Sequence, residues 1–74
     1  MTSQEEFNQI VAMRIAARVE LQELRLGKLG VTHASYEKKL NRVAVAIEAY
    51  STKHGYPWQE VRRDVAQLAG LVVA

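Results

Sequence analysis

Apolar residues recur at helical spacing in separate stretches of the chain. In the middle stretch they are four, three, four and three residues apart, and the stripe consists of Tyr36, Leu40, Val43, Ile47 and Tyr50. In the last stretch the spacings are three, four, three and four, and the stripe consists of Trp58, Val61, Val65, Leu68 and Val72. Such spacing places a stripe on one face of an α-helix, and no stretch alternates as a half-buried strand does. The pattern therefore predicts an all-α fold.

Capping residues and chain breakers suggest where the helices begin and end. Ser3 and Glu6 have the spacing of a capping box at the start of the first helix. Thr32 is the expected N-cap of the second helix, and Gly55 lies where a glycine commonly ends a helix. Pro57 suits the first position of the third helix, which should fray where a glycine and valines follow. The helices are expected over about 4–26, 33–54 and 57–69.

The connections between these helices are short, which favours antiparallel neighbours. We therefore expect a three-helix bundle, in which a long helical hairpin carries a third, shorter helix. A chain of 74 residues has room for one hydrophobic core. Residues 1–74 are accordingly predicted to form a single domain.

The first helix differs from the other two because its apolar residues fall into two arcs. One arc contains Phe7, Ile10, Met13, Ala17, Leu21 and Leu24, and the other contains Val11, Ala12, Ile15, Ala16, Val19 and Leu26. Arg14, Arg18 and Arg25 form a basic seam between them. In one interpretation the helix is central and each arc packs on one neighbour, with the arginine stems covering apolar surface. In the other, one arc stays exposed and docks a partner.

Aromatic residues concentrate around the second turn, where Tyr50, Tyr56 and Trp58 lie close together in sequence. They could form a small core that fixes the direction of the third helix, with their polar tips reaching water. Alternatively, Tyr56 and Trp58 are exposed binding anchors, since tyrosine, tryptophan and arginine dominate binding hot spots. Arg62 and Arg63 follow one turn later and suit the second interpretation.

Composition narrows the class of protein. The chain contains no cysteine, which removes disulfides and thiolate chemistry. The first residues are acidic rather than basic, and no apolar run is long enough to span a membrane. We therefore expect a soluble, cytoplasmic protein that does not enter a membrane. Its net charge is only +2, although positions 25–42 hold five basic residues against one acid.

The sequence shows no arrangement of residues typical of an enzyme. His33 and His54 have no ligand-type neighbours at metal spacing, and no glycine-rich phosphate loop is present. The serines have no convincing base and orienting partner. We predict a non-enzymatic protein without a catalytic, cofactor or metal site.

The first functional hypothesis is a protein-interaction module, a small regulator or inhibitor that docks on a larger protein. A small, single-domain, cysteine-free helical chain of this kind could be the product of a phage or another mobile element. A second copy of the chain is a possible partner, through a two-fold interface on the spare arc. The expected contact residues are Arg14, Arg18, Arg25, Tyr56, Trp58 and Arg62.

The alternative hypothesis is a DNA-binding helix-turn-helix protein whose third helix enters the major groove. Its candidate base-reading residues are Gln59, Arg62, Arg63 and Gln67. Two features oppose this hypothesis. The second helix is longer than the supporting helix of that motif, and Glu60 and Asp64 would face phosphates.

Overall fold

The computed structural model describes residues 2–73, which form three α-helices and no strand. The helices are α1 (Ser3–Arg25), α2 (His33–His54) and α3 (Trp58–Val72). Helix α1 packs against both neighbours, whereas α2 and α3 contact each other least. The predicted all-α, three-helix arrangement is confirmed, with α1 as its central helix.

Helix α1 begins one residue earlier than predicted, and its N-cap is Thr2 rather than Ser3. The Thr2 hydroxyl accepts a hydrogen bond from the Glu5 amide at 3.2 Å and donates one to Glu5 Oε1. Ser3 Oγ instead lies 3.0 Å from the hydroxyl of Tyr50 on α2. The predicted pairing of Ser3 with Glu6 was wrong because Ser3 contacts a neighbouring helix, which a local capping pattern does not reveal.

The ends of α2 agree with the sequence. The Thr32 side chain accepts from the Ser35 amide at 3.1 Å, and the Ser35 hydroxyl in turn faces the Thr32 amide. This reciprocal pair satisfies two amides that an uncapped helix leaves open. Gly55 ends the helix at φ 73°, in the left-handed region that favours glycine.

Helix α3 continues to Val72, three residues beyond the predicted end at 69. Its carboxyl-terminal end meets Arg18 of α1, whose Nε donates to the Val73 carbonyl at 2.8 Å. A cation at this position satisfies a free carbonyl and complements the helix dipole. Gly70 lies beside the same guanidinium, and a Cβ at this position would meet it only at 3.8 Å, an ordinary van der Waals contact. A tertiary contact therefore extends a helix that local propensity would end sooner.

The core is built from the predicted faces of all three helices. Val65 of α3 is fully buried at its centre. The buried apolar residues that pack together around it are Ile10, Val43, Ile47, Tyr50 and Val61. Phe7, Val11 and Met13 of α1 are partly buried against this cluster. Both arcs of α1 thus contribute to the core, as the central-helix interpretation expects.

The second arc of α1 is covered unevenly along its length. Val11 packs against the core and Ile15 is half-buried, whereas Val19 and Leu26 are 38% and 85% exposed. The exposed apolar surface of α1 is thus concentrated toward its carboxyl-terminal end. A groove opens at another place in the fold, between α2 and α3.

Candidate protein-binding groove

A groove of about 730 Å³ opens between α2 and α3, with one wall residue from α1. We call it the α2–α3 groove. Its lining residues are Arg14, Tyr36, Leu40, Asn41, Val43, Ala44, Ile47, Glu48, Trp58, Arg62, Val65 and Ala66. Most of these side chains are apolar, and the polar ones are few. Hydrophobic grooves of this kind can hold the apolar face of a helix from another protein.

The groove exists because the apolar stripe of α2 is only partly covered. Val43 and Ile47 in the middle of the stripe are buried, whereas Tyr36 and Leu40 in the first two turns are only half-buried. Helix α3 contacts α1 more extensively than α2, and Gly70 in its last turn lies against Arg18. The start of the α2 stripe is therefore left without a full cover from α3.

Trp58 lines the groove as the first residue of α3. Pro57 precedes it with φ −62°, and the Pro57 carbonyl accepts from the amides of Glu60 and Val61. This short cap fixes the direction in which α3 leaves the turn. The indole is 51% exposed, so it offers both an apolar ring and a free edge to a bound molecule.

Arg14 brings a charge to this apolar groove from α1. The residue is half-buried, and its Nη1 atom is buried without a hydrogen-bond partner. No carboxylate of residues 2–73 forms an ion pair with it. Leaving a donor of a charged group buried and unpaired costs free energy. The chain thus keeps an under-satisfied guanidinium at the groove.

Arg62 and Glu48 are the other charged residues of the groove, and both are exposed. Within the described part of the chain neither takes part in an ion pair. With Arg14, the lining carries two positive charges and one negative charge. The groove therefore combines an apolar surface with a net positive charge.

Three of the six predicted contact residues meet at this groove, namely Arg14, Trp58 and Arg62. The other three lie elsewhere. Arg18 is engaged by the carbonyl of Val73, and Arg25 is exposed at the end of α1. The three arginines of the predicted basic seam thus have different surroundings.

Tyr56 belongs to an aromatic cluster on the turn between α2 and α3. Its ring stacks on His54 at 5.9 Å between centroids and lies at the same distance from Tyr50. Tyr50 also contacts Phe7 of α1. The two interpretations of the aromatic corner thus apply to different residues. Tyr56 packs within the corner although it is 49% exposed, whereas Trp58 faces the groove.

Tyr36 and Leu40 are groove residues that sequence reasoning assigned to a helix face without a further role. The sequence carried no signal for this role. The apolar stripe of α2 runs from Tyr36 to Tyr50, which is as many residues as α3 contains, so its length alone leaves no portion uncovered. The exposure of the two residues depends on the path that α3 takes.

Two polar clusters join α1 to α2, and none of their residues lines this groove. Near one end, Glu6 binds Lys53, and its Oε2 lies 2.9 Å from His54 Nε2. Near the other end, Glu20 accepts from Ser35 Oγ, and its Oε2 lies 2.8 Å from Lys39 Nζ. These clusters fix the position of α2, which forms one wall of the groove.

Hydrogen bonds and nearby cations lower the pKa of both carboxylates in these clusters. For Glu6, the hydrogen bond from Lys53 is the largest cause of the lowered pKa, followed by that from His54. For Glu20, the hydrogen bond from Lys39 lowers the pKa most, followed by that from Ser35. Both groups therefore favour the ionised form in the folded protein.

The outward face of α3 carries the residues of the DNA-binding hypothesis. Gln59, Arg63 and Gln67 are exposed there, but so are Glu60 and Asp64. Arg63 Nε lies 3.7 Å from Asp64 Oδ1, so part of its charge is offset locally. Arg62 lines the groove instead.

No group of three or more potential metal-binding side chains occurs within residues 2–73. None of the helices described is both long enough and apolar enough to cross a membrane. No protein-family model, curated protein or solved structure matches this chain. The groove itself is therefore the basis for a functional proposal.

Proposed function

We propose that this chain is a non-enzymatic protein-interaction module that holds a segment of a larger protein in the α2–α3 groove. The observation that carries the proposal is the groove itself, with an apolar lining, a half-exposed tryptophan and an unpaired arginine. Trp58 and Arg62 are of the residue types that dominate binding hot spots. A small regulator or inhibitor can act by binding a segment of a larger protein in this way.

Site-specific photocrosslinking in the native host tests this proposal. A photoreactive amino acid replaces Asn41, which lines the groove, or Arg42, an exposed neighbour on α2 that does not line it. We expect a defined adduct from position 41 and none from position 42. Adding Ala44→Trp, which fills the groove, should abolish the adduct. Equal adducts from both positions, or one that survives the filled groove, would contradict the proposal.

The same experiment separates another protein from a second copy of this chain. If the adduct contains two copies of the chain, the groove is a self-association surface, and sedimentation should show a dimer that Ala44→Trp dissociates. We expect a monomer and an adduct with a different protein instead.

A mobility-shift titration at low salt tests the DNA-binding alternative. The proposal predicts no retardation of random or specific duplexes. Retardation that Arg63→Gln weakens and Ala44→Trp leaves unchanged would favour the helix-turn-helix hypothesis, because the outward face of α3 would then be the active surface.

A further inference from the structure

We infer that the segment held in the groove is an amphipathic α-helix whose apolar face carries one acidic side chain that pairs with Arg14. This inference rests on the proposed function and adds the chemistry of the partner to it. Its basis is the combination of a mostly apolar groove and a guanidinium that forms no ion pair with a carboxylate of residues 2–73.

The charge of the occupant follows from Arg14. Arg14 lines the groove, its Nη1 has no hydrogen-bond partner, and a guanidinium offers only hydrogen-bond donors. A carboxylate is the group that matches a guanidinium in both charge and geometry, because it can accept two parallel hydrogen bonds. Binding a carboxylate here would supply the partner that the free chain lacks.

The rest of the lining argues against a highly charged occupant. Apart from Arg14, Arg62 and Glu48, the groove residues are uncharged and mostly apolar. One carboxylate would leave the groove and its occupant together neutral. Additional acidic groups on the buried face would lie against side chains such as Leu40 and Val65, where a charge is poorly solvated.

The length of the groove fits a short helix. Its α2 wall extends from Tyr36 to Glu48, which at the rise of an α-helix corresponds to about 18 Å, or roughly three turns. A helix of that length presents apolar residues at positions i, i+3, i+4 and i+7 along one face. Trp58 and Tyr36 then provide aromatic surfaces against which those residues can pack.

A displayed peptide library provides the probe. Helix-favouring peptides of about 14 residues are selected on the intact protein and counter-selected on Ala44→Trp, so that only groove-dependent binders remain. We expect these peptides to share a helical apolar pattern with Asp or Glu at one fixed position. Replacing that residue by its amide should weaken binding about tenfold.

The pairing with Arg14 is tested by repeating the amide replacement on two protein variants. On Arg14→Met the replacement should change the affinity less than about twofold, because the charge partner is gone. On Arg25→Met, which removes an exposed arginine outside the groove, the tenfold loss should persist. Circular dichroism of each variant checks that its helix content is unchanged.

The outcomes separate this inference from the proposed function. Groove-dependent peptides without a fixed acidic residue, or with one that is insensitive to Arg14→Met, would overturn the acidic-helix inference alone. A selection that yields no groove-dependent peptide would count against both the inference and the protein-binding role of the groove.

Discussion

Helix α2 has two different neighbours, and it is joined to them in different ways. Toward α1 it forms a closed seam, with the Glu6 and Glu20 clusters near its two ends and a depression of only about 270 Å³. Toward α3 it leaves a groove of about 730 Å³, and none of the ion pairs of residues 2–73 joins α2 to α3. The seam therefore holds the fold, and the groove is the side that remains available.

This difference shows how a small domain can keep a binding surface without losing its core. Ile47 and Val43 are buried and also form the inner wall of the groove. Helix α1 packs on both neighbours around the shared core, so the groove does not need to close to hold the helices together. Changes at the seam and core should therefore affect stability, whereas changes at the groove should affect binding.

The largest expected effect comes from the core beneath the groove. Ile47→Ala should lower the free energy of unfolding by about 3 kcal/mol, because it removes a buried side chain and leaves a cavity. Leu40→Ala, at the half-buried part of the same stripe, should cost about 1 kcal/mol. Urea unfolding followed by circular dichroism measures both. Equal losses would mean that the groove wall is packed as tightly as the core.

The second-largest effect is expected at the turn that joins α2 to α3. Gly55 has φ 73°, and a side chain there should cost about 1–2 kcal/mol in Gly55→Ala. Gly70→Ala is the matched control, because Gly70 lies inside α3 and an added Cβ would approach Arg18 only to 3.8 Å. That substitution should stabilise the protein by about 0.5–1 kcal/mol. Thermal unfolding checks both, and a destabilised Gly70→Ala would contradict the helical packing described.

Arg14 provides a smaller effect of opposite sign. Arg14→Met keeps an unbranched stem but removes the unpaired guanidinium, so we expect the protein to gain about 1 kcal/mol of stability. Arg18→Met should instead destabilise it, because Arg18 donates to the carbonyl of Val73. Urea unfolding of the two variants tests this difference. A loss of stability in Arg14→Met would show that its charge is already compensated within the fold.

The smallest effect concerns the ion pairs of the seam, since partly exposed ion pairs contribute little to stability. The pKa values of Glu6 and Glu20 lie below the ordinary value of 4.5. Their contribution to the free energy of unfolding is therefore present above pH 4.5 and is lost as the pH falls below that value. Glu6→Gln and Glu20→Gln should each reduce the slope of stability against pH in this acidic range.

Thermal unfolding between about pH 3 and about pH 7 measures that slope. Glu37→Gln is the control, because it removes an exposed acid of α2 that forms no ion pair among residues 2–73. A Glu6→Gln profile identical to the original would mean that the Lys53 and His54 contacts do not stabilise the folded state.

Much of the local structure could be predicted because it depends on neighbouring residues. Thr32 and Gly55 delimit α2 as expected, since an N-cap and a left-handed glycine act within one turn. Pro57 is the N-cap of α3 rather than its first helical residue, a shift of one position. Two further predictions failed because they depend on distant contacts. Ser3 bonds to Tyr50 rather than capping α1, and Arg18 supports α3 beyond position 69.

The candidate site was only partly accessible to sequence reasoning. Arg14, Trp58 and Arg62 were chosen for their residue types, and the structure brings them to one groove. Their common location could not be derived, because the pattern left open whether one arc of α1 is exposed and gave no sign of an opening between α2 and α3. The exposure of Leu40 likewise depends on the path of α3, which no spacing within α2 specifies.

The sequence by itself determined the three helices and which face of each is apolar, because periodicity and capping are local properties of the chain. The tertiary structure decided which apolar residues stay uncovered and which arginine stays unpaired. Those outcomes depend on the direction in which the helices pack and on contacts between residues far apart in sequence, such as Arg18 with Val73. The groove arises from this packing, because α3 lies more against α1 than against α2.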